Sequence, residues 1–337
     1  MLDKLFQRGK DFLGVKYPIV SGGMTWISNY ELCKAVSDAG AFPVLAGGNM
    51  PPDLFEEEVD KCVEGLDKPF AVNLITIAPN YRTHFEILQG KDVPFVVFAA
   101  NFPKKHDVVG MKDAGKKTIC FASTDSIARQ MRRFGIDALI LEGSEAGGHI
   151  GHVSLTILLQ QVLMQMRDFP IFVAGGVADG QMIAHLLLMG ATGVQMGTRF
   201  VVTEECCAHP KMKEAFQKAR ARQAVSTPQY DSKLPVVAVR ALANKSMERF
   251  GAFQLELLAK LNKGEIHREE AQYEVESFWI GGLRKAVMEG DVDGGSVMAG
   301  QSVGLVDKIM PVADMIQEIV GQTEAELARV KGVVDAL

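Results

Sequence analysis

Eight short apolar runs recur about every 20–30 residues through the first 200 positions: 17–21, 42–46, 70–75, 95–99, 118–122, 138–141, 171–174 and 193–196. Runs that are apolar at successive positions, without alternation, read as strands buried on both faces, as in a parallel sheet. Helical patterns fill the gaps, at 29–39 with Leu32, Ala35 and Val36 on one face, and at 125–134, 155–166 and 180–188. Eight strand–helix units are the count of a TIM (β/α)8 barrel. An open doubly wound sheet alternates in the same way, but usually with about five to seven strands. The expected fold is therefore α/β, a TIM barrel.

The rhythm stops near residue 203. The sequence divides into a barrel over 1–202, a smaller helical cap over 203–302 and a C-terminal helical segment over 303–337 packing back on the barrel. The cap is expected to cover the barrel mouth. It has helical stretches at 212–221 and 253–261 and no clear buried strands. In the last segment Met315, Ile316, Ile319 and Val320 have helical spacing.

Backbone-permissive residues gather where the strands end. Gly22-Gly23-Met24, Gly47-Gly48-Asn49, Gly175-Gly176 and Gly197-Thr198-Arg199 all follow or close a run, and Asn73 interrupts an apolar one. Barrel ligands sit at these carboxyl ends, and a phosphate often sits in the loops after strands seven and eight. Here those loops are Ala174-Gly175-Gly176, leading into a helix, and Gln195-Met196-Gly197-Thr198. Free N–H groups at a helix start attract anions, and the Thr198 hydroxyl can add to them. Arg199 either binds that phosphate or pairs with a carboxylate at the rim. Asn73 either ties strands together or meets the edge of a heterocycle. After strand six the chain runs Glu142-Gly143-Ser144-Glu145-Ala146-Gly147-Gly148-His149. A flexible loop there carries an imidazole, the side chain that titrates nearest neutrality.

Other chemistries are disfavoured. No GxGxxG follows an early strand. The five cysteines include no CxxC pair, His149 and His152 lack a carboxylate-rich partner set, and no metal site emerges. Net charge of −5 argues against nucleic acid or an anionic membrane as partner. Unpaired thiols, an N-terminus without an apolar signal core and the lack of an apolar run of roughly 18 residues point to a cytoplasmic protein. A homodimer is expected, since closed two-fold symmetry is the commonest assembly.

Several stretches resemble the FMN-dependent nitronate monooxygenase and enoyl-acyl-carrier-protein reductase superfamily. They are Tyr17-Pro18-Ile19 with Gly22-Gly23-Met24, Pro69-Phe70-Ala71-Val72-Asn73, Glu145-Ala146-Gly147-Gly148-His149, Ala174-Gly175-Gly176-Val177 and Gln195-Met196-Gly197-Thr198. Within it, Ala208-His209-Pro210 and the segment from Gly290 to Gln301 are similar to the flavin-type enoyl reductases, the FabK-like class. The resemblance implies FMN in the barrel mouth, NADH or NADPH as hydride donor, and a trans-2-enoyl thioester as acceptor, free or linked to acyl carrier protein. It places His149 as the catalytic residue. It gives Gly22, Gly23, Met24, Asn73, Glu142, Gly147, Gly148, Ala174, Gly175, Gly176, Gln195, Met196, Gly197 and Thr198 as cofactor-binding positions. The alternatives on the same scaffold are a nitronate monooxygenase using O2 and an NAD(P)H:quinone reductase. The chain departs from the pattern at Ser21, where glutamine is common, and at His152, where the reductases often carry lysine.

Overall fold

The computed structural model describes residues 1–48, 50–234 and 237–336, so Asn49 of the glycine-rich strand end lies outside the described residues. Parallel strands β1 (Ile19–Ser21), β2 (Phe42–Ala46), β3 (Ala71–Ile75), β4 (Phe95–Ala99), β5 (Lys117–Ala122), β6 (Ala138–Glu142), β8 (Ile171–Ala174) and β9 (Gly193–Met196) form a closed barrel. β9 returns to β1 with Val20 opposite Gln195. The eight apolar runs are these eight strands. The expected helix starts are chemically fixed. Asn29, Thr124 and Asp179 accept hydrogen bonds from the N–H groups of Leu32, Ile127 and Met182, covering donors a helix start leaves orphaned.

Strand residues alternate between two cores. Val20, Phe42, Val44, Ala71, Phe95, Val97, Ile119, Ala138, Ile140 and Phe172 form one buried cluster that fills the lumen. Their neighbours Ile19, Leu45, Val72, Val96, Leu139, Val173 and Val194 pack outward, beneath the helices. Phe12, from the first helix Leu2–Leu13, reaches the lumen cluster. Its ring centroid lies 5.7 Å from Phe95 and 6.0 Å from Phe172.

The segment 203–302 differs from the all-helical expectation. β10 (Ala224–Ser226) and β11 (Ala238–Leu242) join β7 (Gly148–Ile150), from the loop that carries His149, in an antiparallel sheet of order β10-β11-β7. Two of these strands are three residues long and β11 is interrupted by Arg240, so no period-2 signal is legible. The pairing is decided by contacts remote in sequence. Helices Pro210–Lys218, Lys245–Lys263 and Arg268–Arg284 accompany the sheet. Val239, Phe250, Leu257, Val275 and Trp279 give this part its own core, with the Phe250 and Trp279 rings 4.2 Å apart.

The C-terminal helix Val312–Asp335 lies against helix Gly180–Leu188 of the barrel. The Gly180 N–H donates to Gln322 Oε1 at 2.9 Å, and His185 Nε2 is 2.7 Å from Glu326 Oε1. Among the described residues no helix is long and apolar enough to cross a membrane.

Phe172 is fully buried in the lumen. Phe172→Ala removes the ring and leaves a cavity that closed strands cannot collapse, at an expected cost of about 3–5 kcal/mol in urea denaturation. A loss below about 1 kcal/mol would show that the lumen is not the rigid core described.

Candidate active site

The inward alternation does not stop at the lumen core. Two residues beyond Ala71, Val97, Ile119, Ile140, Phe172 and Gly193 stand Asn73, Ala99, Phe121, Glu142, Ala174 and Gln195. All six line one cavity of about 450 Å3 at the carboxyl ends of the strands. That volume falls in the range of small-molecule and cofactor sites, roughly 300–1,000 Å3. Gly22, Gly23, Met24, Gly147, Gly148, His149, Gly175, Gly176, Met196, Gly197 and Thr198 line it as well. The structure therefore brings every site position expected from the sequence into one space. His152 joins them, whereas Arg199 does not.

Strands β1, β3 and β9 are tied together at the cavity floor. The Gly22 N–H donates to Met196 O at 2.9 Å, and Asn73 Nδ2 donates to Gly23 O at 3.1 Å. A Cβ on Gly23 would lie 2.7 Å from the Asn73 side chain, so this approach requires glycine. Asn73 Oδ1 is buried and accepts no hydrogen bond among the described residues. An unsatisfied buried acceptor costs about 1–3 kcal/mol, which a ligand N–H placed there would recover. Of the two sequence readings of Asn73, strand tie and ligand contact, the amide nitrogen serves the first and the oxygen is available for the second.

At the start of helix Gly180–Leu188, Gln322 takes the Gly180 N–H and Asp179 caps that of Met182, which leaves the Gln181 N–H without a partner among the described residues. The loop before it offers more. The N–H groups of Gly176 and Val177 donate to no protein group among the described residues. Gly176 has φ 74° and only Glu145 near its missing side chain, at 3.6 Å. Thr198 Oγ1 accepts from the Gly300 N–H at 3.1 Å and keeps its own proton to donate. No lysine or arginine lines the cavity among the described residues. The alternatives for Arg199 resolve toward the rim carboxylate, since its Nη2 pairs with Glu318 at 3.0 Å.

Two acids face the cavity. The carboxyl of Glu142, at the end of β6, has no hydrogen-bond partner among the described residues, and burial pushes it from its ordinary 4.5 up to about 8. The neutral acid is thus a hydrogen-bond donor at pH 7. Glu276, on helix Arg268–Arg284, lies with its Oε1 3.3 Å from His149 Nε2. Sequence reasoning passed over Glu276, one acid among several on that helix, because only the tertiary fold brings it to the imidazole. It also passed over Ala99 and Phe121, because strands apolar at every position do not show which residues face inward. Ala100, just past β4, lines the cavity with φ 68°, a strained backbone for a residue with a side chain.

The segment from Gly290 to Gln301 completes the rim. The Gln301 N–H donates to Glu145 O at 2.9 Å, and Met298, Gly300 and Ser302 line the cavity. His209 has a local structural role, accepting from the Lys211 N–H at the start of helix Pro210–Lys218.

A parallel (β/α)8 barrel with a polar-floored cavity at its carboxyl face defines a TIM-barrel enzyme. The family model for nitronate monooxygenase matches residues 7–86 and 75–322. The chain belongs to the nitronate monooxygenase family and is an oxidoreductase. It is similar to FabK from Thermotoga maritima, at 35% identity and a TM-score of 0.86, over 97% of this chain and 98% of that one. It is 28% identical to a (3aS,4S,5R,7aS)-5-hydroxy-7a-methyl-1-oxo-octahydro-1H-indene-4-carboxyl-CoA dehydrogenase of Mycobacterium tuberculosis, over 92% of this chain and 94% of the relative. It is also 28% identical to a probable nitronate monooxygenase of Staphylococcus saprophyticus, over 97% of this chain and the whole relative.

Glu142 binds its proton more tightly in the folded protein than in the unfolded chain, so folding loses stability as pH rises from 4.5 to 8. Glu142→Gln removes that dependence. In ligand-free protein the stability of Glu142→Gln relative to the parent is expected to increase across this window and level off above it. Parallel urea-denaturation profiles for the two proteins would contradict the raised carboxyl.

Proposed function

We propose that the protein is an FMN-dependent reductase of trans-2-enoyl thioesters with NADH or NADPH as electron source, an enoyl-acyl-carrier-protein reductase. The observation that carries this reading is the segment from Gly290 to Gln301. It is the stretch that resembles the flavin-type reductases, and it is bonded to the His149 loop through Gln301 and to Thr198 through Gly300. Full-length similarity to FabK at 35% identity supports it, and the mycobacterial relative, named for a CoA thioester, fits the same substrate class.

The residues fit the cofactor. Asn73 Oδ1 and the Gly22-Gly23-Met24 backbone would meet the edge of the ring system, with Gln195 beside them. Glu142, protonated, would donate to a sugar-chain oxygen. The Gly176 and Val177 N–H groups and the Thr198 hydroxyl would hold the phosphate without any side-chain cation. Bound FMN supplies hydride transfer between pyridine nucleotide and substrate. The protein contributes orientation, a cavity screened by the cap, and His149. The imidazole lies where it can hydrogen-bond a thioester carbonyl or supply a proton as negative charge develops.

A second reading, nitronate monooxygenase, draws on the family model and the staphylococcal relative. There His149 would act as base toward a nitroalkane. Anaerobic stopped-flow separates the two. Fast flavin reduction by NADH or NADPH, then fast reoxidation by crotonyl thioester without O2, is the expected outcome. Slow reduction by both nucleotides, with direct oxidation of a nitronate in air, would assign the monooxygenase activity instead.

Two substitutions test the site. His149→Ala should keep stoichiometric FMN and lower turnover about 100-fold or more, the scale of a lost general acid–base group. Flavin loss from that change alone would sink the role given to His149. Gly176→Val places a branched side chain at φ 74° against the phosphate loop. The purified variant should be colourless, and full flavin content would contradict the phosphate placement.

A further inference from the structure

We infer that Glu276 is the positioning residue of His149, holding the proton on Nε2 so that Nδ1 is the nitrogen presented to substrate. This rests on the role proposed for His149 and adds to it the orienting group and the reacting atom.

Three observations carry it. First, His149 Nε2 and Glu276 Oε1 are 3.3 Å apart, with side chains only 20% and 16% exposed. An ionised carboxylate only accepts hydrogen bonds, so the shared proton belongs to Nε2. No protein group hydrogen-bonds Nδ1 among the described residues.

Second, both partners are fixed by structure rather than by chance rotamers. His149 sits in β7 opposite Val239 of β11, and Val239 is fully buried. Glu276 lies between Val275 and Trp279, which are buried in the core that includes Phe250. On the same helix Glu269, Glu270 and Glu274 are exposed, so Glu276 is the one acid there turned toward the barrel. Third, Glu276 itself lines the cavity and makes no second ion pair among the described residues. A carboxylate in that position is more than the solvated charge of a surface helix.

The proton balance follows. As hydride originating from NAD(P)H forms a bond to the β-carbon, the Cα=Cβ π bond opens toward the α-carbon and the Nδ1–H bond of an imidazolium breaks with its electron pair staying on nitrogen. The former π pair bonds the released proton to the α-carbon, and the ring is left as the neutral Nε2–H tautomer facing Glu276. The carboxylate takes no proton. Its work is orientation, as an orienting acid does beside other catalytic histidines.

The test is long-range 15N–1H NMR of flavin-loaded protein carrying 15N-histidine, with the His149 signals assigned by their loss in His149→Gln. The expected neutral form has hydrogen on Nε2, exchanging slowly with water, and a bare Nδ1. In Glu276→Leu the slow exchange disappears. Turnover falls about 10–100-fold, the usual effect of an orienting partner, while KM and flavin content stay within about twofold. Glu276→Gln, whose amide oxygen still accepts from Nε2–H, recovers part of the rate. A protonated Nδ1 with bare Nε2 in the parent, or unchanged turnover in Glu276→Leu while His149→Gln is inactive, overturns the role of Glu276 alone. Full turnover in His149→Gln overturns the role of His149 and this inference with it.

Discussion

Alternate residues of eight parallel strands share one lumen, and most of what the protein can do depends on how that lumen is filled. Phenylalanine, valine and isoleucine occupy it up to the level of Val97, Ile140 and Phe172. Closure leaves no free sheet edge, so the strands cannot drift to relieve a misfit. The next residues inward are Asn73, Glu142 and Gln195, with Ala99 and Ala174 leaving room. The polar floor is held rigidly because the layer beneath it is dry and tightly packed. That rigidity can sustain an unpaired amide oxygen and a carboxyl pushed toward neutrality at the same site.

The second structural layer is built by the cap, which stabilises the loop that carries His149. Three residues of that loop become a strand only because β11 pairs with them. Arg240, on β11, donates to Ser144 O at 3.0 Å and so anchors the loop near its start. Gln301 holds the Glu145 carbonyl, and the Glu145 carboxylate accepts from the Leu155 N–H at 3.1 Å. The imidazole is thus mounted on a sheet whose other strands belong to the cap. A helix of the same cap supplies Glu276. Residues of the barrel and of the cap thus line the same cavity.

The electrostatic design is sparse. No cationic side chain lines the cavity among the described residues, and the loop N–H groups of Gly176 and Val177 have no protein partner among them. Arg199, close by in sequence, is drawn to Glu318 on the C-terminal helix and fastens that helix to the barrel. A neutral Glu142 adds a donor without adding charge.

The amino-acid sequence by itself determined the barrel, the eight strands to within a residue or two, and the positions around its mouth. Doubly buried strands are apolar throughout, and glycines mark where backbone must turn or admit a ligand, so both signals are local. The same doubly buried character hid which residue of each strand faces inward, and Ala99 and Phe121 went unnoticed. Closure of the sheet decided that. The cap sheet was invisible because its three-residue strands have no period of their own and exist only as partners of one another. Glu276 was one acid among several on a helix until the fold set it 3.3 Å from His149. The helix start at Gly180 read as a set of free N–H groups, and the C-terminal helix, far along the chain, puts Gln322 on the first of them. Local chemistry is written in the order of residues, whereas the pairing of distant polar groups is settled only when the packed layers bring them together.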